Sequence, residues 1–141
     1  MDGDATTGRE RDQRPRPLDG VRVLAVEDHM IGRILLQAML GPLGVEAVIV
    51  GDGQAARDAA KTQAFAVVLL DLGLPDTAGD RLAKELKELP GGRGAAFVAV
   101  TGRARPSEVP APFVDWLEKP FSVRELAARL EALVPHHELS A

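Results

Sequence analysis

Apolar residues in this chain follow two rhythms. Short β-branched or leucine-rich runs alternate with longer segments in which apolar positions recur at helical spacing. Val21 to Val26 (VRVLAV) reads as a strand, and His29 to Leu40 as a helix ended by Gly41-Pro42. Val45 to Val50 is a second β-branched run, after which Gly51-Asp52-Gly53 turns the chain into an alanine-rich helix, Gln54 to Thr62. Ala66 to Leu70 predicts a third, wholly apolar strand, and Leu82, Leu86 and Leu89 then share one face of a helix that stops at Pro90. Phe97 to Val100 predicts a fourth strand and Phe113 to Leu117 a fifth. Ser122 and Glu125 form a capping box for a last helix, whose Val123, Leu126, Ala127, Leu130 and Val134 lie on one stripe. Strands apolar on both faces and separated by helices predict a parallel sheet covered on both sides. The expected fold class is α/β, a doubly wound five-stranded parallel sheet.

Composition narrows the picture. The 141 residues, 45% hydrophobic and 27% charged, suit one core. Residues 1–17 carry four arginines, several acids and two prolines with almost nothing apolar, and are expected to be a disordered tail or linker. The domain is expected over 18–135, with 136–141 a C-terminal tail in which His136 and His137 are solvated. A net charge of −4 gives no electrostatic attraction to nucleic acid. With no cysteine, disulfides, thiolate metal sites and cysteine nucleophiles are excluded. The longest apolar run, Phe65 to Leu70, is far short of the roughly 20 residues that span a bilayer, and the expectation is a cytoplasmic protein with no membrane insertion.

In a doubly wound sheet ligands gather beyond the carboxyl ends of the strands. The residues there are Glu27-Asp28, Asp71, Thr101 and Lys119. Three carboxylates at one sheet edge repel one another unless a cation joins them, and an all-oxygen donor set favours Mg²⁺. A lysine and a threonine hydroxyl beside that ion complement a phosphoryl group, with Asp71 as nucleophile. Simpler roles exist for each: Asp28 as the cap of the following helix, Asp71 as a turn residue, Thr101 as a polar strand end, Lys119 as a solvated charge. His29 is expected at the surface beside the site and not as a metal ligand.

These residues resemble the response-regulator receiver domains of two-component signalling. The likeness runs from about Asp19 to Pro135 and rests on the strand-Glu27-Asp28 step, LLDLGLPDTAGD around Asp71, Val100-Thr101-Gly102 and the Trp116 to Phe121 segment. It implies a flavodoxin-like receiver fold with Asp71 as phosphoacceptor and Mg²⁺ as cofactor. Asp28 and Asp71 would be direct ligands, with the backbone carbonyl of Gly73 a third and Glu27 acting mainly through water. Thr101 would bond the phosphoryl group, Lys119 would pair with Asp71 or its phosphate, and Lys119-Pro120 would be a cis peptide. Trp116 matches the switch position that follows Thr101. The implied partner is a histidine kinase or histidine phosphotransfer protein, docking on Met30 and Ile31 of the first helix and on Pro120 and Phe121. The apolar arc of that helix, from Met30 and Ile31 through Ile34 and Leu35 to Met39, fits either this docking surface or deep packing.

Departures from the family are also legible. The stretch from Thr101 to Lys119 is short and holds Pro106, Pro110 and Pro112, which leaves no room for a regular helix. The receiver's usual fourth helix is expected to be absent or a short turn, with 103–112 a mobile loop that orders on phosphorylation. Asp76-Thr77-Ala78 replaces the usual residues before Gly79. With no output domain after Pro135, the expectation is either a regulator acting alone or the receiver of a hybrid kinase. The chain is expected not to be an enzyme. The rivals are a receiver-like interaction module without phosphorylation and an Mg²⁺-dependent aspartyl-phosphate hydrolase. The hydrolase would carry a second aspartate where Gly73 stands.

Overall fold

The computed structural model describes residues 16–134. The tail expectations for residues 1–15 and 136–141, His136 and His137 included, lie outside the described residues, as does Pro135. The elements run β1 (Arg22–Val26), α1 (Met30–Leu40), β2 (Glu46–Val50), α2 (Gly53–Thr62), β3 (Val67–Asp71), α3 (Gly79–Lys87), β4 (Ala96–Thr101), β5 (Phe113–Glu118) and α4 (Val123–Leu133). A short 3₁₀ turn, Gly41–Leu43, carries Pro42 and ends α1, with Gly44 in the left-handed conformation that glycine tolerates. Asp52 caps α2 by accepting from the Ala55 N–H, and Ser122 with Glu125 closes the expected capping box on α4.

All five strands are parallel, in the order β2-β1-β3-β4-β5. Side chains alternate along each strand, so the sheet has two apolar faces. Leu24, Val26, Val68, Leu70, Phe97 and Ala99 face α2 and α3, where Ala56, Ala60, Leu82 and Leu86 meet them. Val23, Ala25, Val67, Leu69, Val98 and Val100 face α1 and α4, where Leu36, Leu40, Leu126 and Leu130 meet them. The last stripe is narrower than its periodicity predicts: Leu126, Leu130 and Val134 are buried, but Val123 is exposed because it sits in the first turn, beyond the sheet edge.

The helix expected to be missing is the one between β4 and β5, and there residues 102–112 form bends and turns without a helix. The fourth helix in chain order, α4, is present and follows β5. The loop is tied down. Arg105 reaches Asp115 on β5 at 2.7 Å, and the Trp116 indole N–H donates to the carbonyl of Arg103 at 3.0 Å. A register shift between β4 and β5 pairs Phe97 with Phe113 and Val98 with Asp115, skipping Val114, which is exposed. No helix among the described residues is long and apolar enough to cross a membrane.

Candidate functional site

Strand register assembles the site. Val26 of β1 pairs with Leu70 of β3, so the residues that follow, Glu27-Asp28 and Asp71, leave the sheet side by side. Asp71 pairs with Val100 and Thr101 with Glu118, which places Thr101 and Lys119 next in line along the same carboxyl edge. β1 and β3 flank the point where strand order reverses, the crevice such sheets use for ligands. Lys119 is fixed from behind by its own N–H, which donates to the Thr101 carbonyl at 2.7 Å.

The Lys119 ammonium bridges two carboxylates: Nζ lies 2.8 Å from Glu27 Oε1 and 3.4 Å from Asp71 Oδ2. Burial opposes its charge, but the hydrogen bond it donates to Glu27, the charges of Asp71 and Glu27 and the contact with Asp71 together outweigh that and hold its pKa above the ordinary lysine value. It is a fixed cation at neutral pH. Glu27 is only 3% exposed, and its second oxygen accepts the His29 N–H at 3.1 Å. Asp71 Oδ1 accepts the Gly73 N–H at 3.0 Å. The buried Thr101 hydroxyl accepts the Arg103 N–H at 3.2 Å, leaving its own proton free to donate.

Asp28 differs from its neighbours. Its Oδ1 is buried and without a hydrogen-bond partner. The helix-cap role open to it in the sequence is not what the fold uses: His29 is the N-cap of α1, and no side chain caps that end. An orphaned carboxylate oxygen is costly unless something satisfies it. Glu27 and Asp71 share the one ammonium while Asp28 lies beside Glu27 with an oxygen unmet, so the carboxylates outnumber the lysine and the donor set fits a hard divalent cation. Glu27, Asp28 and His29 each offer a ligand atom within 4.8 Å of one another. The His29 side chain is 77% exposed, with Nε2 3.8 Å from Asp28 Oδ1, in keeping with its expected surface position.

Around this pocket the structure separates the remaining expected residues. Trp116 is buried against Phe97, Ala99 and Phe113, with its indole turned to the β4–β5 loop. The Lys119–Pro120 peptide is cis, as is Ala111–Pro112. Deep packing of the whole apolar arc of α1 is not what the fold shows: Met30, Ile31, Ile34 and Leu35 are 65%, 69%, 59% and 54% exposed, while Leu36 and Leu40 are buried and Met39 packs partly against the same core. A groove of about 390 Å³ runs between α1 and residues 119–121, floored by Glu27 and Lys119 and walled by Leu35, Leu36, Met39, Pro120 and Phe121. Met30 and Ile31 share the exposed helix surface but do not line the groove.

Two charged groups escaped the sequence reading. Asp115, 8% exposed in β5, accepts from Arg105, from Arg129 of α4 and from the Trp116 N–H. Burial works against its charge, but the Arg105 hydrogen bond, the Trp116 N–H and both guanidinium charges prevail, so its pKa lies below the ordinary aspartate value. The lone acid inside Phe113-Val114-Asp115-Trp116-Leu117 was the available signal. Arg33, which helical periodicity assigns only to the polar sector of α1, donates to the Glu27 and Asp28 carbonyls.

Known proteins share this fold and parts of this sequence. The sensor protein GacS of Pseudomonas syringae pv. syringae is 33% identical over 113 residues, covering 75% of this chain and 12% of that protein. The chain thus spans about an eighth of that relative's length. A CheY-like response regulator receiver domain from Methylobacillus flagellatus superposes with a TM-score of 0.74 at 33% identity, covering 82% of this chain and 99% of that one. The receiver domain of sensor histidine kinase PA1611 from Pseudomonas aeruginosa, solved with a magnesium ion coordinated in its active site cleft, gives 0.74 at 30% identity over 82% and 98% of the two chains. The model of the response regulator receiver domain family matches residues 23–131, and with the strand order and the acidic edge in place the chain belongs to that family of two-component signalling domains.

Proposed function

We propose that this receiver takes a phosphoryl group from a phosphohistidine onto Asp71 and changes its protein contacts as a result. The observation that carries the reading is the carboxylate cluster at the switch point, bridged by Lys119 and with Asp28 Oδ1 unsatisfied. Asp28, Asp71 and the Gly73 carbonyl would hold Mg²⁺ directly and Glu27 would act through water. The ion supplies charge neutralisation for the transferring phosphoryl oxygens when bound. In the transfer an Asp71 carboxylate oxygen forms a bond to phosphorus while the phosphorus–nitrogen bond breaks, its electron pair returning to the donor imidazole. The Gly73 N–H orients Asp71, the Lys119 ammonium balances its charge and then that of the phosphoryl group, and the Thr101 hydroxyl donates to a phosphoryl oxygen.

The exposed face of α1, with Met30 and Ile31, and the groove that ends at Pro120 and Phe121 suit an apolar helical partner carrying that phosphohistidine, a histidine kinase or phosphotransfer protein. Trp116, linked to Thr101 through the main chain of Arg103, would report the change. On this reading the domain, residues 18–135, is a cytoplasmic signalling module and not a turnover enzyme. Incubation with Mg²⁺ and acetyl phosphate should add one hydroxylamine-sensitive phosphoryl group, detected by intact mass. An unmodified wild type, or equal uptake by Asp71→Asn, overturns the assignment.

A further inference from the structure

Arg33 is on α1, reaching back over the end of β1. Its Nη1 donates to the main-chain carbonyl of Glu27 at 3.0 Å and to that of Asp28 at 2.9 Å. β1 has ended at Val26 and α1 begins at Met30, so these two carbonyls belong to neither a strand nor a helix. One guanidinium nitrogen therefore holds the consecutive peptide units whose side chains form the acidic pocket.

The surroundings are shaped for that contact. Gly51, the first residue after β2, lies beneath the guanidinium, and a Cβ there would sit 2.9 Å from Arg33 Nη1 and 3.4 Å from Cζ. Gly32, one residue before Arg33, bears the same relation to the Glu27 side chain: a Cβ would sit 2.8 Å from its Cγ and Cδ. Any other residue at either position forces the acidic step or its clamp to move.

We propose that Arg33, admitted by Gly51, is a positioning residue for divalent-cation binding, holding the Glu27-Asp28 backbone so that both carboxylates face the ion. The inference rests on the reading of this pocket as an Mg²⁺ site. Its sign separates it from a simple charge effect. A cation near the pocket repels Mg²⁺, so removing it as a charge alone tightens binding, whereas removing a positioning contact weakens binding.

Mg²⁺ affinity measured by calorimetry on wild type, Arg33→Met, Arg33→Lys and Gly51→Ala decides between them, with the fold of each checked by circular dichroism. Arg33→Met and Gly51→Ala should each weaken binding about tenfold, the range for groups that orient metal ligands. Their double variant should be no weaker than either, because both remove one contact. Arg33→Lys keeps the charge and one donor point, should lose affinity to a smaller extent, and stays readable if Arg33→Met does not fold. In the metal-free proteins, amide exchange at Asp28 and His29 should quicken in the same variants. Binding by Arg33→Met as tight as wild type or tighter overturns the inference while leaving the pocket intact; a wild type that binds no Mg²⁺ overturns the pocket reading and this inference with it.

Discussion

Asp115 is a buried charge whose loss should destabilise the fold measurably. Asp115→Ala removes the acceptor of the buried Trp116 N–H, at 2.8 Å, and an unsatisfied buried donor costs about 1–3 kcal/mol. It also ends the pairing with Arg105 and Arg129, whose side chains are 46% and 43% exposed. Solvent screening limits that part to about 1 kcal/mol. The sum is about 2–4 kcal/mol. Asp115→Asn keeps an acceptor for Trp116 and loses only the charge, so it should cost about 1 kcal/mol or less. Urea unfolding followed by far-UV circular dichroism reads both, since Trp116 is itself a partner and a compromised probe. The folded pKa of Asp115 lies below its ordinary value of 3.8, so its charge contributes stability above that pH. The contribution is lost as pH falls below 3.8 through the folded value, and the gap between wild type and Asp115→Asn should close there. Equal costs for Asp115→Ala and Asp115→Asn, or a gap that widens in acid, would refute this account of the cluster.

Other outcomes follow from the same contacts. Lys119→Met should slow phosphoryl uptake from acetyl phosphate about a hundredfold, because one positioned charge facing the transferring group is gone; a change under threefold contradicts its role. Leu35→Asp, on the exposed face of α1, should leave stability within about 0.5 kcal/mol and acetyl phosphate uptake unchanged while cutting transfer from a phosphohistidine donor about tenfold or more. Equal loss with both donors would place the defect in the pocket and not at a docking surface. Amides in residues 102–112 should gain exchange protection when beryllofluoride is added with Mg²⁺, and unchanged protection would remove the loop from the response.

The sheet was legible because a parallel strand buried on both faces leaves an uninterrupted apolar run, and runs such as Val67 to Leu70 carry no competing pattern. The site was legible for the same reason. A polar residue that ends such a run must sit at the carboxyl edge, which located Glu27, Asp28, Asp71, Thr101 and Lys119 without knowledge of strand order. Amphipathicity could not say whether the wide apolar arc of α1 packs or stays open, since Ile34 and Leu35 obey the same periodicity as Leu36 and Leu40. Asp115 was hidden by the register shift at Val98, which turns its side chain toward α4. Arg33 was hidden because its partners are carbonyls, and main-chain acceptors leave no mark on composition.

The central claim is that the Asp71 pocket is a working phosphoacceptor, and the most direct measurement is a titration with Mg²⁺ followed by beryllofluoride, read by Trp116 fluorescence in wild type and Asp71→Asn. A saturable, Mg²⁺-dependent change is expected in the wild type and its loss in Asp71→Asn. No change in the wild type, together with no phosphoryl uptake from acetyl phosphate, would contradict it and leave an interaction module that carries the receiver fold without its chemistry.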